Sequence, residues 1–154
     1  MSIMSHISVD YTTDKFQPML TFYDAILTEV GAKRQMLVIK TGEHLDDVHT
    51  PYREDIVAVA YGKYWPEFWI QLPENKKEAT VGNGCHFVFA CSSEDQCKRV
   101  YETALAHGGV SNGEPGLRPK YTSKYYGAFF LDPMGNKLEA IFYDMGTMNY
   151  CEIL

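Results

Sequence analysis

The chain reads as two degenerate copies of one pattern: a short strand, a helix stopped by glycine, then further strands. An internal repeat constrains a fold more than any single motif, because each copy must bury its apolar face against the rest. In the first copy His6–Tyr11 alternates, with Ile7, Val9 and Tyr11 on one face and His6, Ser8 and Asp10 on the other. In the second, Cys85–Cys91 is an apolar strand carrying His86. Each strand leads into a helical stripe: Phe16, Met19, Leu20, Tyr23, Leu27 and Val30, then Cys97, Val100, Tyr101, Ala104 and Leu105. Asp14 with Gln17 and Ser93 with Gln96 match a capping box, and Gly31 and Gly108-Gly109 supply the stops.

The strands that follow are expected over 32–40, 56–61 and 68–72 in the first copy. The second copy continues with a strand starting near Val110, a Gly- and Pro-rich loop over 111–124, and a final hairpin. That hairpin joins Tyr125–Leu131 to Lys137–Tyr143 through Asp132-Pro133-Met134-Gly135-Asn136, a run suited to a tight turn. The polar stretch 73–84 divides module 1 (about 4–73) from module 2 (about 84–144), leaving a tail at 145–154. The whole is expected to be one α+β domain of two βαβββ modules.

Glu139 stands between Leu138 and Ala140, where a carboxylate is costly unless paired or bound to a cation. The alternative is an edge strand that turns Lys137 and Glu139 to solvent. The repeat bears on that choice. A helix must cover the apolar face of each first strand, so His6 and His86 point the other way, while Cys85, Phe87 and Phe89 face the helix. If the two open faces curl together, His6, Gln71, His86 and Glu139 meet near one floor. Two imidazoles and a carboxylate make a metal site with open positions. His86 also reads as a hydrogen-bonded core histidine, and Gln71 as a half-buried strand residue.

The stretches SHISVDY, LTFYDAILTEVGA, FWIQLP, GCHFVFAC and GAFFLDPMGNKLEAIF together resemble the vicinal oxygen chelate superfamily. That superfamily includes glyoxalase I, fosfomycin-resistance thiol transferases, extradiol dioxygenases and bleomycin-resistance proteins. The resemblance implies paired βαβββ modules around a divalent-metal cavity, and a homodimer. It carries metal-ligand roles to His6, Gln71, His86 and Glu139. Gln71 departs from the glutamate of bacterial-type glyoxalase I, leaving a two-His, one-carboxylate set. The ion implied is Zn, Ni, Mn or Fe.

On this reading the chain is a metal-dependent enzyme acting on a small oxygen-chelating substrate by isomerase, lyase, thiol-transfer or dioxygenase chemistry. Glu139 and Tyr126 are the candidate catalytic residues. Trp69, Arg118, Lys120 and Tyr125 are candidates for substrate binding, with Lys124 a further cation in the same loop. The alternative is a metal-free sequestering protein whose Trp65, Phe68, Trp69, Tyr125 and Tyr126 stack on a hydrophobic or cationic compound.

A net charge of −6 argues against a nucleic-acid or anionic-membrane partner. No apolar run reaches the ~20 residues of a membrane helix, and MSIMSHISVD lacks the marks of a secretory signal. Cys85, Cys91, Cys97 and Cys151 form no Cys-x-x-Cys pair, so buried, reduced thiols in a cytoplasmic protein are expected. His44, Asp46, Asp47 and His49 read as a solvated loop rather than a cation site.

Overall fold

A computed structural model describes residues 4–45, 48–49 and 53–144. The first module runs β1 (Ile7–Asp10), α1 (Phe16–Glu29), β2 (Lys33–Ile39), β3 (His44–Leu45), β4 (Ile56–Gly62) and β5 (Phe68–Gln71). The second runs β6 (Phe87–Ala90), α2 (Glu94–Ala106), β7 (Val110–Leu117), β8 (Tyr125–Leu131) and β9 (Lys137–Tyr143). The sheets are ordered β1-β5-β4-β2-β3 and β6-β9-β8-β7. In both, the first strand lies parallel to the last, and the remaining pairs are antiparallel. The chain is therefore α+β with two related modules.

Each helix forms where the apolar stripe requires it. Phe16, Met19, Leu20, Tyr23 and Leu27 of α1 are buried, as are Cys97, Val100, Tyr101 and Ala104 of α2. Leu105, expected on the stripe, is exposed. One apolar core runs through both modules, with Phe68 of β5 in ring contact with Phe87 and Phe89 of β6.

Polar ties reinforce that core. The Tyr23 hydroxyl donates to Asp132 Oδ2 at 2.7 Å, and Gln96 Nε2 donates to the Glu29 carbonyl at 2.7 Å. Asp132 also accepts from the backbone N–H groups of Met134 and Asn136 and from Asn136 Nδ2, so its burial is offset by four donors.

The second capping box forms: Ser93 Oγ accepts from the Gln96 N–H at 3.1 Å, and Gln96 Oε1 accepts from the Ser92 N–H. The first does not. Asp14 lies in a short 3-10 turn, Thr13–Lys15, and α1 starts only at Phe16, which leaves Pro18 safely within its first turn. The expected loop 111–124 is also corrected, since residues up to Leu117 pair with β8. β7 is an edge strand with two register irregularities, which is where Gly113, Pro115 and Gly116 are tolerated.

Candidate functional site

Alternation along β8 and β9 decides which residues meet. Tyr126, Ala128 and Phe130 face the core with Leu138 and Ala140. Tyr125, Gly127 and Phe129 share the opposite face with Glu139, Ile141 and Tyr143. That face, continued by β6 beside β9, forms a groove of about 830 Å³ whose described lining comes entirely from module 2. His86, Val88, Tyr125, Phe129, Glu139 and Tyr143 are among the lining residues.

Glu139 sits on the floor of this groove and is only 2% exposed. The Tyr125 hydroxyl donates to its Oε1 at 2.5 Å, and His86 Nε2 stands 3.7 Å from its Oε2. Gly127 makes this possible. A β-carbon there would lie 3.0 Å from Glu139 Oε1 and 3.1 Å from the Tyr125 ring. Burial holds the Glu139 carboxyl above the usual glutamate range, while the Tyr125 donor and the charges of His86 and Arg118 pull it part of the way back. Burial and the neighbouring carboxylate push the Tyr125 phenol up, so it stays a neutral donor.

The first module presents the same face without the carboxylate. Two residues beyond each histidine the parallel pairs match: Ser8 lies opposite Trp69, and Val88 opposite Glu139. Trp69 is therefore the counterpart of Glu139, and its ring meets His6 edge-on at 6.5 Å. Gln71, opposite Asp10, corresponds to Ile141 opposite Ala90, two residues further along. This register corrects the sequence match of Gln71 with Glu139.

Other expected residues also separate. Tyr126 is 7% exposed and faces the core, with Lys98 over its ring, so it does not reach the groove. Phe68 is likewise core. Cys85 precedes β6, is exposed and lines the groove rather than facing the helix; Cys91 and Cys97 are buried free thiols. Arg118 lies over the Phe129 ring at 5.3 Å, and Lys120 lies over exposed Tyr121 at 4.9 Å. His44 is exposed, whereas Asp46, Asp47, Cys151 and the tail 145–154 lie outside the described residues.

Among the described residues, no three His, Cys, Asp or Glu side chains gather closely enough to hold a metal ion. One chain thus brings together two donors, His86 and Glu139, and keeps His6 on the other sheet. Sequence alternation separates Tyr125 from Tyr126 once the core face is assigned. The hydrogen bond to Glu139 had no such signal.

Comparisons with known proteins agree with this architecture. A family model described as the Glyoxalase/Bleomycin resistance protein/Dioxygenase superfamily matches residues 5–140. A glyoxalase/bleomycin resistance protein from Albidiferax ferrireducens is 29% identical, with a TM-score of 0.70, over 91% of this chain and 98% of that one. A family enzyme from Burkholderia phytofirmans shares 13% identity at a TM-score of 0.59, over 89% and 95% of the two chains. A glyoxalase-related enzyme from Fulvimarina pelagi shares 13% at 0.61, over 92% and 88%. No curated protein matches the chain.

Proposed function

Because the chain belongs to the Glyoxalase/Bleomycin resistance protein/Dioxygenase superfamily, we propose that it is a divalent-metal-dependent enzyme whose site is completed by two copies of the chain. It acts on a small oxygen-chelating substrate. The observation that carries this reading is Glu139: a buried carboxylate at the floor of an open groove, held by Tyr125 and faced by His86.

His86 and Glu139 of one copy and His6 of the other make the two-His, one-carboxylate donor set. A bound divalent ion would supply Lewis-acid polarisation of the substrate oxygens. The open faces support a homodimer. Val88, which lines the groove from edge strand β6, is 44% exposed, and the His86 side chain 55%.

The chain's own residues define the chemistry. Glu139 is the group placed to take and return a proton beside the substrate oxygen, as an isomerase or lyase requires. Tyr125 fixes Oε1 and leaves Oε2 facing His86. Tyr121, Tyr125 and Tyr143 form a row of tilted and edge-on ring contacts at 5.0 and 6.4 Å, an aromatic wall for the substrate body. Among the described residues no helix is long and apolar enough to cross a membrane, and we place this activity in the cytoplasm.

The test is complementation. His6→Ala and His86→Ala chains, each expressed alone, should lose bound metal. Purified heterodimers of the two should regain about half the metal and turnover of the wild-type dimer, since one of the two cross-chain sites is whole. Heterodimers that stay empty would sink the shared site. A wild-type protein that takes up no Zn, Ni, Mn or Fe would favour the second reading, a metal-free binder, which Trp69 in the place of a second carboxylate supports.

A further inference from the structure

Resting on the groove assigned above, we propose that Arg118 and the glycine shelf beside it form a carboxylate subsite. The substrate is then a small acid with an oxygen on the carbon next to its carboxylate, a 2-oxo or 2-hydroxy acid.

The shelf follows from strand pairing. Gly116 of β7 lies directly opposite Gly127 of β8, and directly opposed residues of an antiparallel pair present the same face. Two neighbouring positions on the sheet face that carries Glu139 therefore have no side chain. Over Gly127 the missing volume is taken by the Glu139 carboxylate, 3.0 Å from where a β-carbon would stand. Over Gly116 the nearest atom is Arg118 Nη1, at 3.6 Å. The hollow is bounded by a carboxylate on one side and a guanidinium on the other.

Arg118 is held in place for such a role. Its guanidinium lies over the Phe129 ring at 5.3 Å, and Nη2 donates to the Glu114 carbonyl. Phe129 is itself directly opposite Glu139 across β8 and β9, so the guanidinium sits one strand away from the buried carboxylate on the same face. Among the described residues no carboxylate forms an ion pair with Arg118, and its remaining donors meet no protein acceptor. A planar, oriented fork with free donors is the group best suited to bind a carboxylate through two parallel hydrogen bonds.

The local charge points the same way. The protein carries a net charge of −6, yet Glu139 is the one carboxylate among the described groove residues, beside His86 and Lys137. An acid seated on Arg118 would direct its neighbouring oxygen towards His86 and Glu139 and lay its apolar remainder along the tyrosine wall.

The experiment titrates full-length protein with benzoylformate and with its methyl ester, using wild type, Arg118→Gln, Arg118→Lys and Gly116→Leu. Gly116 has an ordinary backbone conformation, so Gly116→Leu fills the shelf while keeping the cation. Benzoylformate should bind wild type and weaken by about tenfold or more in Arg118→Gln and Gly116→Leu. Arg118→Lys should fall between. The uncharged ester should not distinguish Arg118→Gln from wild type. Wild type that fails to bind benzoylformate, or an Arg118→Gln protein that binds it equally, overturns the subsite. Metal content of the same samples separates the two readings: a protein that takes up no metal but binds benzoylformate through Arg118 sinks the metalloenzyme and keeps the subsite.

Discussion

The Tyr125 hydroxyl meets Glu139 Oε1 at 2.5 Å across neighbouring strands, so one oxygen of the buried carboxylate is engaged and the other looks towards His86. This contact orients the group on which the proposed chemistry depends and offsets part of the rise in proton affinity that burial causes. Phenylalanine at position 125 keeps the ring contacts and deletes the donor. Tyr125→Phe should raise the Glu139 proton affinity further and shift the acid limb of a pH–rate profile to higher pH. The loss of one hydrogen bond to a charged group should cost about 1.5–3 kcal/mol of stability. A profile that does not move would separate Tyr125 from Glu139.

The pH dependence of stability follows from the same carboxyl. Its folded-state pKa lies above the ordinary glutamate value, chiefly through burial. Between those two values the native state holds more protons than the unfolded chain, so stability falls as pH rises through that window. Below the ordinary value the contribution is fully present. Glu139→Gln should therefore have the higher urea midpoint at neutral pH, with the difference closing on acidification. A midpoint difference independent of pH would contradict this account.

Register gives a third prediction. Trp69→Glu should place a carboxylate at the counterpart of Glu139, beside His6, and tighten divalent-metal binding by about tenfold. Gln71→Glu, two residues further on, should leave metal affinity unchanged. Competition against a chromophoric chelator distinguishes the two. Equal effects would mean that the modules do not superpose as their strand pairs indicate.

Much of this was readable from residue order. The histidine before each first strand, the two helical stripes, the Gly31 and Gly108 stops and the Asp132–Asn136 turn all announce themselves by local chemistry. Gly31, Gly108 and Gly135 do adopt positive φ. Trp69 and Gln71 could not be told apart, because both lie on the same face of β5 and only the pairing with β1 sets which one meets the histidine. β7 was illegible for a different reason. VSNGEPGL has the composition of a loop, and its strand geometry is imposed by the pairing of β8.

Stability should depend on the tie between modules. Tyr23 and Asp132 lie 109 residues apart in sequence, and both are buried. Burial, then the adjacent carboxylate, push the Tyr23 phenol well above its ordinary value, so the bond persists across the working pH range. Tyr23→Phe should cost about 1–2 kcal/mol and lower the melting temperature by roughly 3–6 °C, with no change in the urea m-value. An unchanged melting temperature would show that the core alone holds the modules together.

Gly127 has no side chain to contribute, yet the space above it is already taken by the carboxylate and the Tyr125 ring. Random mutagenesis of this face should reveal that as a purifying effect at a position with no side chain to lose. Selection for activity should reject even alanine at 127 while accepting varied residues at exposed groove positions such as Val88. The strongest mark the site leaves on a population of descendants is then a codon that stays fixed for what it omits.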